Sequence, residues 1–235
     1  MSALDDGRTA LLLLGDTRFP SGAHAHSAGM EQAVACGAVR DVDDVAAWAE
    51  AVLWTTGLTA AGLAASGASL AGRLDPGSRY PEWHDLDAEA DARTPSPAQR
   101  ATARRLGRQL VRTARRVWDS APLELLGQRW PDGPHRPVAF GAVVAAAGGG
   151  PEDAATAEAY GTVAVPVSAA VRLLGLDPVS GTAVVARLAP GMEEVAATAA
   201  AAATGPRRRL PARSAPMVDL YAEMHAAGGG ALFAS

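Results

Sequence analysis

Asp16, Ser21, His24, His26 and Glu31 crowd one short stretch, where the apolar run Leu11-Leu12-Leu13-Leu14 breaks at Gly15-Asp16 and passes through a Pro20-Ser21-Gly22 turn. Side chains of these types could hold a metal ion, pair a serine nucleophile with a histidine base, or make turn and capping hydrogen bonds. Spacing argues against the first two. His24 and His26 lie two apart, on one face of a strand but on different sides of a helix, and no second ligand pair at metal-site spacing follows. The other histidines, His84, His135 and His225, stand singly. Ser21 in a Pro-Ser-Gly turn is ordinary turn chemistry. The metal candidates reduce to His24 and His26, with hydrogen-bonded structural histidines, or transient metal contact by the pair, as the alternatives.

Other chemistries are excluded by what the chain lacks. It has no lysine, so a Walker-type phosphate loop is ruled out, and no Gly-x-Ser-x-Gly elbow occurs. The single cysteine, Cys36, rules out an intramolecular disulfide and a CxxC motif, which points to a reducing compartment and a cytoplasmic location. A net charge of −4 gives no general affinity for nucleic acid or anionic lipid. The 11–14 run is too short for a signal-peptide core and is preceded by Asp5 and Asp6. Residues 51–72 are uncharged but rich in Thr, Ser and Gly, which favours a buried helix pair over a membrane span.

The elements that must position these residues are helical. At 235 residues and 49% hydrophobic content the chain can bury one core or two small ones, and the dominance of alanine favours closely approaching helices. Ser27 is expected to cap a helix carrying Glu31 in its first turn and ended by Gly37. Asp41 caps the next, with Val45, Trp48 and Val52 on one face. Pro81 opens an acidic helix read as a solvated face, and Ser96-Pro97 opens the longest amphipathic one. Pro166 is expected to kink or split a helix begun at Pro151, and separate helices are expected over 178–188 and 192–204. The Arg207-Arg208-Arg209 run reads as solvated charge, and 216–226 as the last helix. The short valine runs at 163–165 and 184–185 have alanine-rich flanks and read as helix, giving an all-α chain.

In the 97–117 helix, Leu106, Leu110, Thr113 and Val117 form one stripe, opposite Arg100, Arg104, Arg105, Arg108, Arg112, Arg115 and Arg116. That face could meet RNA, an acidic protein or a neighbouring acidic helix. The segment 82–91 is the intramolecular choice, and RNA is disfavoured because no aromatics are interleaved.

The run 16–31, followed by Ala33-Val34-Ala35-Cys36-Gly37-Ala38-Val39, resembles the N-terminal signature of the urease accessory protein family UreF. The arginine helix, His135-Arg136-Pro137-Val138-Ala139-Phe140-Gly141, and the segment 160–176 with Val167-Ser168-Ala169-Ala170-Val171-Arg172-Leu173 resemble later motifs of the same family. The resemblance implies a single-domain, all-helical bundle over residues 1–235, with flexible ends at 1–7 and 227–235. It implies a scaffold that is not a catalyst and has no cofactor. Such a scaffold forms a homodimer, binds UreD (UreH in some organisms), and with it recruits the GTPase UreG and apo-urease for nickel delivery. Modulation of that GTPase belongs to the same set of expectations.

The partner-binding residues implied are Asp16, Arg18, Pro20, Gly22, His24, His26, Ser27, Glu31, Tyr160, Arg172, His225, Leu232 and Phe233. At the C-terminus the chain keeps His225 and Leu232-Phe233-Ala234-Ser235 but has Gly228-Gly229-Gly230 where the family carries charge, a departure expected to weaken UreD docking. A small nickel carrier or metal-dependent helical enzyme using His24 and His26 is the competing reading.

Overall fold

Alanine and glycine decide how closely these helices can approach, and the closest approach lies at the centre of the molecule. The computed structural model describes residues 7–15, 27–73 and 80–228, and every regular element among them is helical. In chain order these are α1 (Gly7–Gly15), α2 (Met30–Ala35), α3 (Val42–Val52), α4 (Leu58–Ala71), α5 (Tyr80–Ala92) and α6 (Pro97–Ala114). They are followed by α7 (Ala121–Arg129), α8 (Arg136–Ala146), α9 (Pro151–Leu174), α10 (Pro178–Ala203) and α11 (Pro216–Ala227).

α4 is buried on nearly every side, as its lack of charge requires. Leu58, Ala61 and Ala65 pack into a cluster with α3, α9 and α10, whereas Leu63, Ala64 and Ala68 pack into a second cluster with α5 to α8. The α4–α8 crossing is backbone on backbone. A Cβ on Gly141 would lie 2.0 Å from the Ala64 carbonyl oxygen, and one on Gly67 would lie 2.6 Å from that of Val138. Residues 51–72 thus form the end of α3, a π-helical turn over Leu53–Gly57, and α4 itself. No described helix is long and apolar enough to cross a membrane.

Local stop and start signals act as expected at several places. Asp41 accepts hydrogen bonds from the Asp43 and Asp44 amides, and Ser96 accepts one from Gln99 with Pro97 in the first turn. Gly37, at φ +72°, closes α2 with Ala38 N–H donating to the Ala33 carbonyl and Gly37 N–H to that of Val34, a Schellman motif.

Other expectations are corrected. Ser27 does not cap α2; the N-cap is Gly29 at φ +84°, and Ser27 instead offers its carbonyl to Met30 N–H. α9 is not split at Pro166, and α10 runs on through Pro190 where two helices were expected. Each proline costs about 3 kcal/mol in an exposed helix, but these two long helices pack along one another and hold each other in register. α6 ends at Ala114, so Val117 leaves the apolar stripe and is exposed, while Val111 and Ala114 take its place.

Candidate partner-docking surface

α2, α3, α6 and α11 meet at one corner, which gathers two of the predicted partner-binding residues, with a third, the buried Ser27, in the turn entering α2. Glu31 lies in the first turn of α2 and His225 in the last turn of α11, with Oε2 and Nδ1 3.9 Å apart, an ion pair whenever the imidazole is protonated. Trp48 of α3 stacks on Tyr221 of α11 at 5.9 Å between ring centroids. A Cβ at Gly29 would lie 3.6 Å from both Trp48 and Val218, so the turn entering α2 also rests on α11.

α11 is held to α6 from its other side by carboxylates. Glu223 accepts hydrogen bonds from the Ser96 hydroxyl and, at 2.9 Å, from the Ala98 amide, so an acid 125 residues away completes the cap of α6. These two bonds hold the Glu223 carboxyl below its usual range. Asp219 accepts from the Gln99 side chain at 3.0 Å; its burial pushes its pKa up, and the nearby Glu223 charge adds to this. Among the described residues the third face of α11 has no such contacts: Met217, Leu220 and Met224 recur at helical spacing and are 51%, 50% and 40% exposed. This outward apolar row was not anticipated, although its i, i+3, i+7 spacing can be read in the sequence.

Behind α11 lies a cavity of about 260 Å³, lined among others by Gln99, Leu106, Thr162, Val218 and Ala222. On its wall Arg136 Nη1 donates to both oxygens of buried Glu158, at 2.6 and 2.8 Å, and the guanidinium lies over the Phe140 ring. The pair is mutually satisfied and ties the start of α8 to α9.

The acidic helix α5 also departs from expectation. Asp87 is buried and accepts from the His135 amide at 2.7 Å, from Arg104 Nη1 at 2.9 Å and from Trp130 Nε1 at 3.0 Å. Asp91 takes Arg104 Nη2 at 2.5 Å and shares a 2.7 Å hydrogen bond with His135 Nε2. Burial pushes the Asp91 carboxyl up, but the bonds and charges of His135 and Arg104 outweigh it and hold the pKa below its ordinary value. Arg207, read as solvated, is half-buried and pairs with Glu82 and Asp85 at 3.5 and 3.7 Å. The His135-Arg136-Pro137 motif is therefore a structural junction: His135 ties to α5, Arg136 ties to α9, and Pro137 begins α8.

The remaining predicted site residues are not gathered here. Tyr160 and Arg172 are carried by α9 twelve residues apart, about 18 Å along the axis and about 120° around it. Asp16, Arg18, Pro20, Gly22, His24, His26, Leu232 and Phe233 lie outside the described residues. Among the described residues no group of three or more His, Cys, Asp or Glu could hold a metal ion.

The arrangement defines a helical protein whose described ionic clusters join helix to helix and whose last helix turns an apolar row outward. The chain belongs to the UreF family, which it matches over residues 39–189. It is 41% identical to the urease accessory protein UreF of Mycobacterium sp. (strain JLS) over 228 residues, 97% of this chain and 98% of that one. It is 40% identical to the UreF of Mycolicibacterium vanbaalenii over 228 residues, 96% of this chain and 97% of the other. The UreF of Mycobacterium tuberculosis (strain ATCC 25618 / H37Rv) is 40% identical over 215 residues, 92% of each chain.

Proposed function

We propose that this chain is a non-catalytic accessory scaffold in the maturation of the nickel enzyme urease, acting in the cytoplasm as a homodimer. In this reading it bridges UreD (UreH) and the GTPase UreG on apo-urease during nickel delivery, and it carries no cofactor of its own. The observation that carries the reading is the near-full-length likeness to proteins named as urease accessory proteins. The geometry adds a surface suited to the task. The α11 row of Met217, Leu220 and Met224 is apolar, exposed and held outward by carboxylates on the opposite side, so UreD docking there needs no rearrangement of the fold.

The test is co-production with UreD and UreG, affinity capture, and urease activation with and without this chain. The expected result is a recoverable complex, urease activity that depends on the chain, and loss of UreD in the Met217→Glu, Leu220→Glu variant. Equal activation without the chain would overturn the reading. So would tight one-to-one nickel binding by the isolated protein that is lost in the His24→Ala, His26→Ala variant.

A further inference from the structure

The arginines on α6 and in the turn after it divide into two sets, and Arg105, which bonds Thr102, belongs with the engaged ones. Arg100 donates to the Thr94 and Pro95 carbonyls, Arg104 is taken by Asp87 and Asp91, and Arg115 pairs with Glu124 of α7, its Nε 2.8 Å from Oε1. Arg108, Arg112 and Arg116 are exposed and have no ionic or hydrogen-bonded side-chain partner among the described residues. Arg108 and Arg112 lie about 40° apart around α6 and about 6 Å apart along it, and Arg116 follows in the turn just after the helix ends at Ala114.

α6 contains no acid, so nothing on the helix relieves the like-charge repulsion along this row. The row stands out because acids outnumber arginines in the chain, 25 to 21. The helix also shows, on another flank, what its arginines bind: Arg104 is engaged by two carboxylates spaced four apart on an acidic helix. A guanidinium is a fork suited to a carboxylate, and a second acidic helix with the same spacing would match the free row step for step.

We infer that the row formed by Arg108 and Arg112 of α6 and by Arg116 just beyond its end is a docking site for an acidic helix of a partner protein, engaged through carboxylates spaced four residues apart. RNA is the competing polyanion. It fits less well, because no aromatic side chain interrupts the row to stack on bases and the chain as a whole is acidic.

The test uses the full chain and a fluorescein-labelled helical peptide with three glutamates spaced four apart, its glutamine analogue, and a single-stranded RNA of similar length. Polarisation is read at about 50 mM and about 300 mM salt. The glutamate peptide should bind more tightly than the glutamine analogue and the RNA, and should weaken with salt. The Arg108→Glu, Arg112→Glu variant should lose about tenfold, the equivalent of two exposed ion pairs. The Arg208→Glu, Arg209→Glu variant, with the same change in net charge at exposed sites elsewhere, should bind as the parent does. Equal loss in both variants, equal binding of the two peptides, or tighter binding of the RNA would overturn the inference. None of these outcomes depends on urease activation, so this inference and the scaffold reading can fail separately.

Discussion

Replacing Asp87 by alanine should be among the most damaging single changes on the surface of the acidic helix, although its sequence context reads as solvated charge. The carboxylate is buried and accepts from three donors on three segments: the His135 amide, Trp130 Nε1 and Arg104 Nη1. The variant leaves the fully buried His135 N–H without its acceptor, at about 1–3 kcal/mol, and removes the Trp130 bond, at about 1 kcal/mol. Arg104 is cushioned, because Asp91 and the Gly133 carbonyl remain. The sum is about 2–4 kcal/mol, a large share of the ~5–15 kcal/mol stability of an ordinary domain, and corresponds to a fall in Tm of about 10 °C for a chain of this size. Asp87→Asn should fare little better, since an amide turns donors toward donors. Thermal and urea unfolding followed by circular dichroism measure the effect. An Asp87→Ala protein melting within about 2 °C of the parent, with an unchanged urea slope, would refute the view that this carboxylate joins α5 to α6 and α8.

Gly141→Ala should destabilise by about 3 kcal/mol or more, because the new methyl meets the Ala64 carbonyl at 2.0 Å and α4 has no free side to which it can retreat; the soluble yield and Tm check this. Asp91→Asn should change the acid limb of stability. The folded pKa of Asp91 lies below 3.8, so its contribution is complete above that value and is lost as pH falls through the folded pKa. The gap between parent and variant, measured by urea unfolding, should therefore be largest near neutrality and close in acid. Asp219 has the opposite sign: its pKa is raised, so its contribution is complete below 3.8 and is lost as pH rises through the folded value. Asp219→Asn, which keeps the acceptor for Gln99, should match or exceed the parent's stability at pH 7 in the same assay. Glu223→Gln should leave the global Tm nearly unchanged while speeding hydrogen exchange across 216–227, because it weakens only the attachment of α11 to α6.

What could be read from the sequence, and what could not, follows the reach of each interaction along the chain. The Asp41 and Ser96 caps and the Gly37 terminator act within a few residues, and their local signatures mark the end of α2 and the starts of α3 and α6. Arg136 and Glu158 lie 22 residues apart, and Ser96 and Glu223 lie 127 apart. No local spacing joins either pair, so neither contact can be read from the chain. The arginine helix was half legible: its acidic partner segment could be named, but only the fold shows that Arg104 is taken and Arg108, Arg112 and Arg116 are not. The prolines misled in the other direction, since Pro166 breaks a helix by local rules yet is buried inside one whose packing against α4 and α10 supplies what the missing hydrogen bond removes.

α6 is where these observations converge. Its apolar face rests on α8, one flank is clamped by the carboxylates of α5, and its first turn is capped by Glu223 of α11. The exposed arginine row is therefore mounted on a helix fixed by contacts on its other sides, and the apolar row of α11 is anchored to that same helix. A scaffold that must hold two partners at once needs surfaces of different chemistry on a common rigid support, so that one partner is selected by charge and the other by apolar fit without competition. Charge reversal at Arg108 and Arg112 and glutamate substitution at Met217 and Leu220 should accordingly act independently. Each should release its own partner while the other stays bound, and the double combination should lose both. Release of the same single partner by either variant would mean that the two rows form one continuous interface.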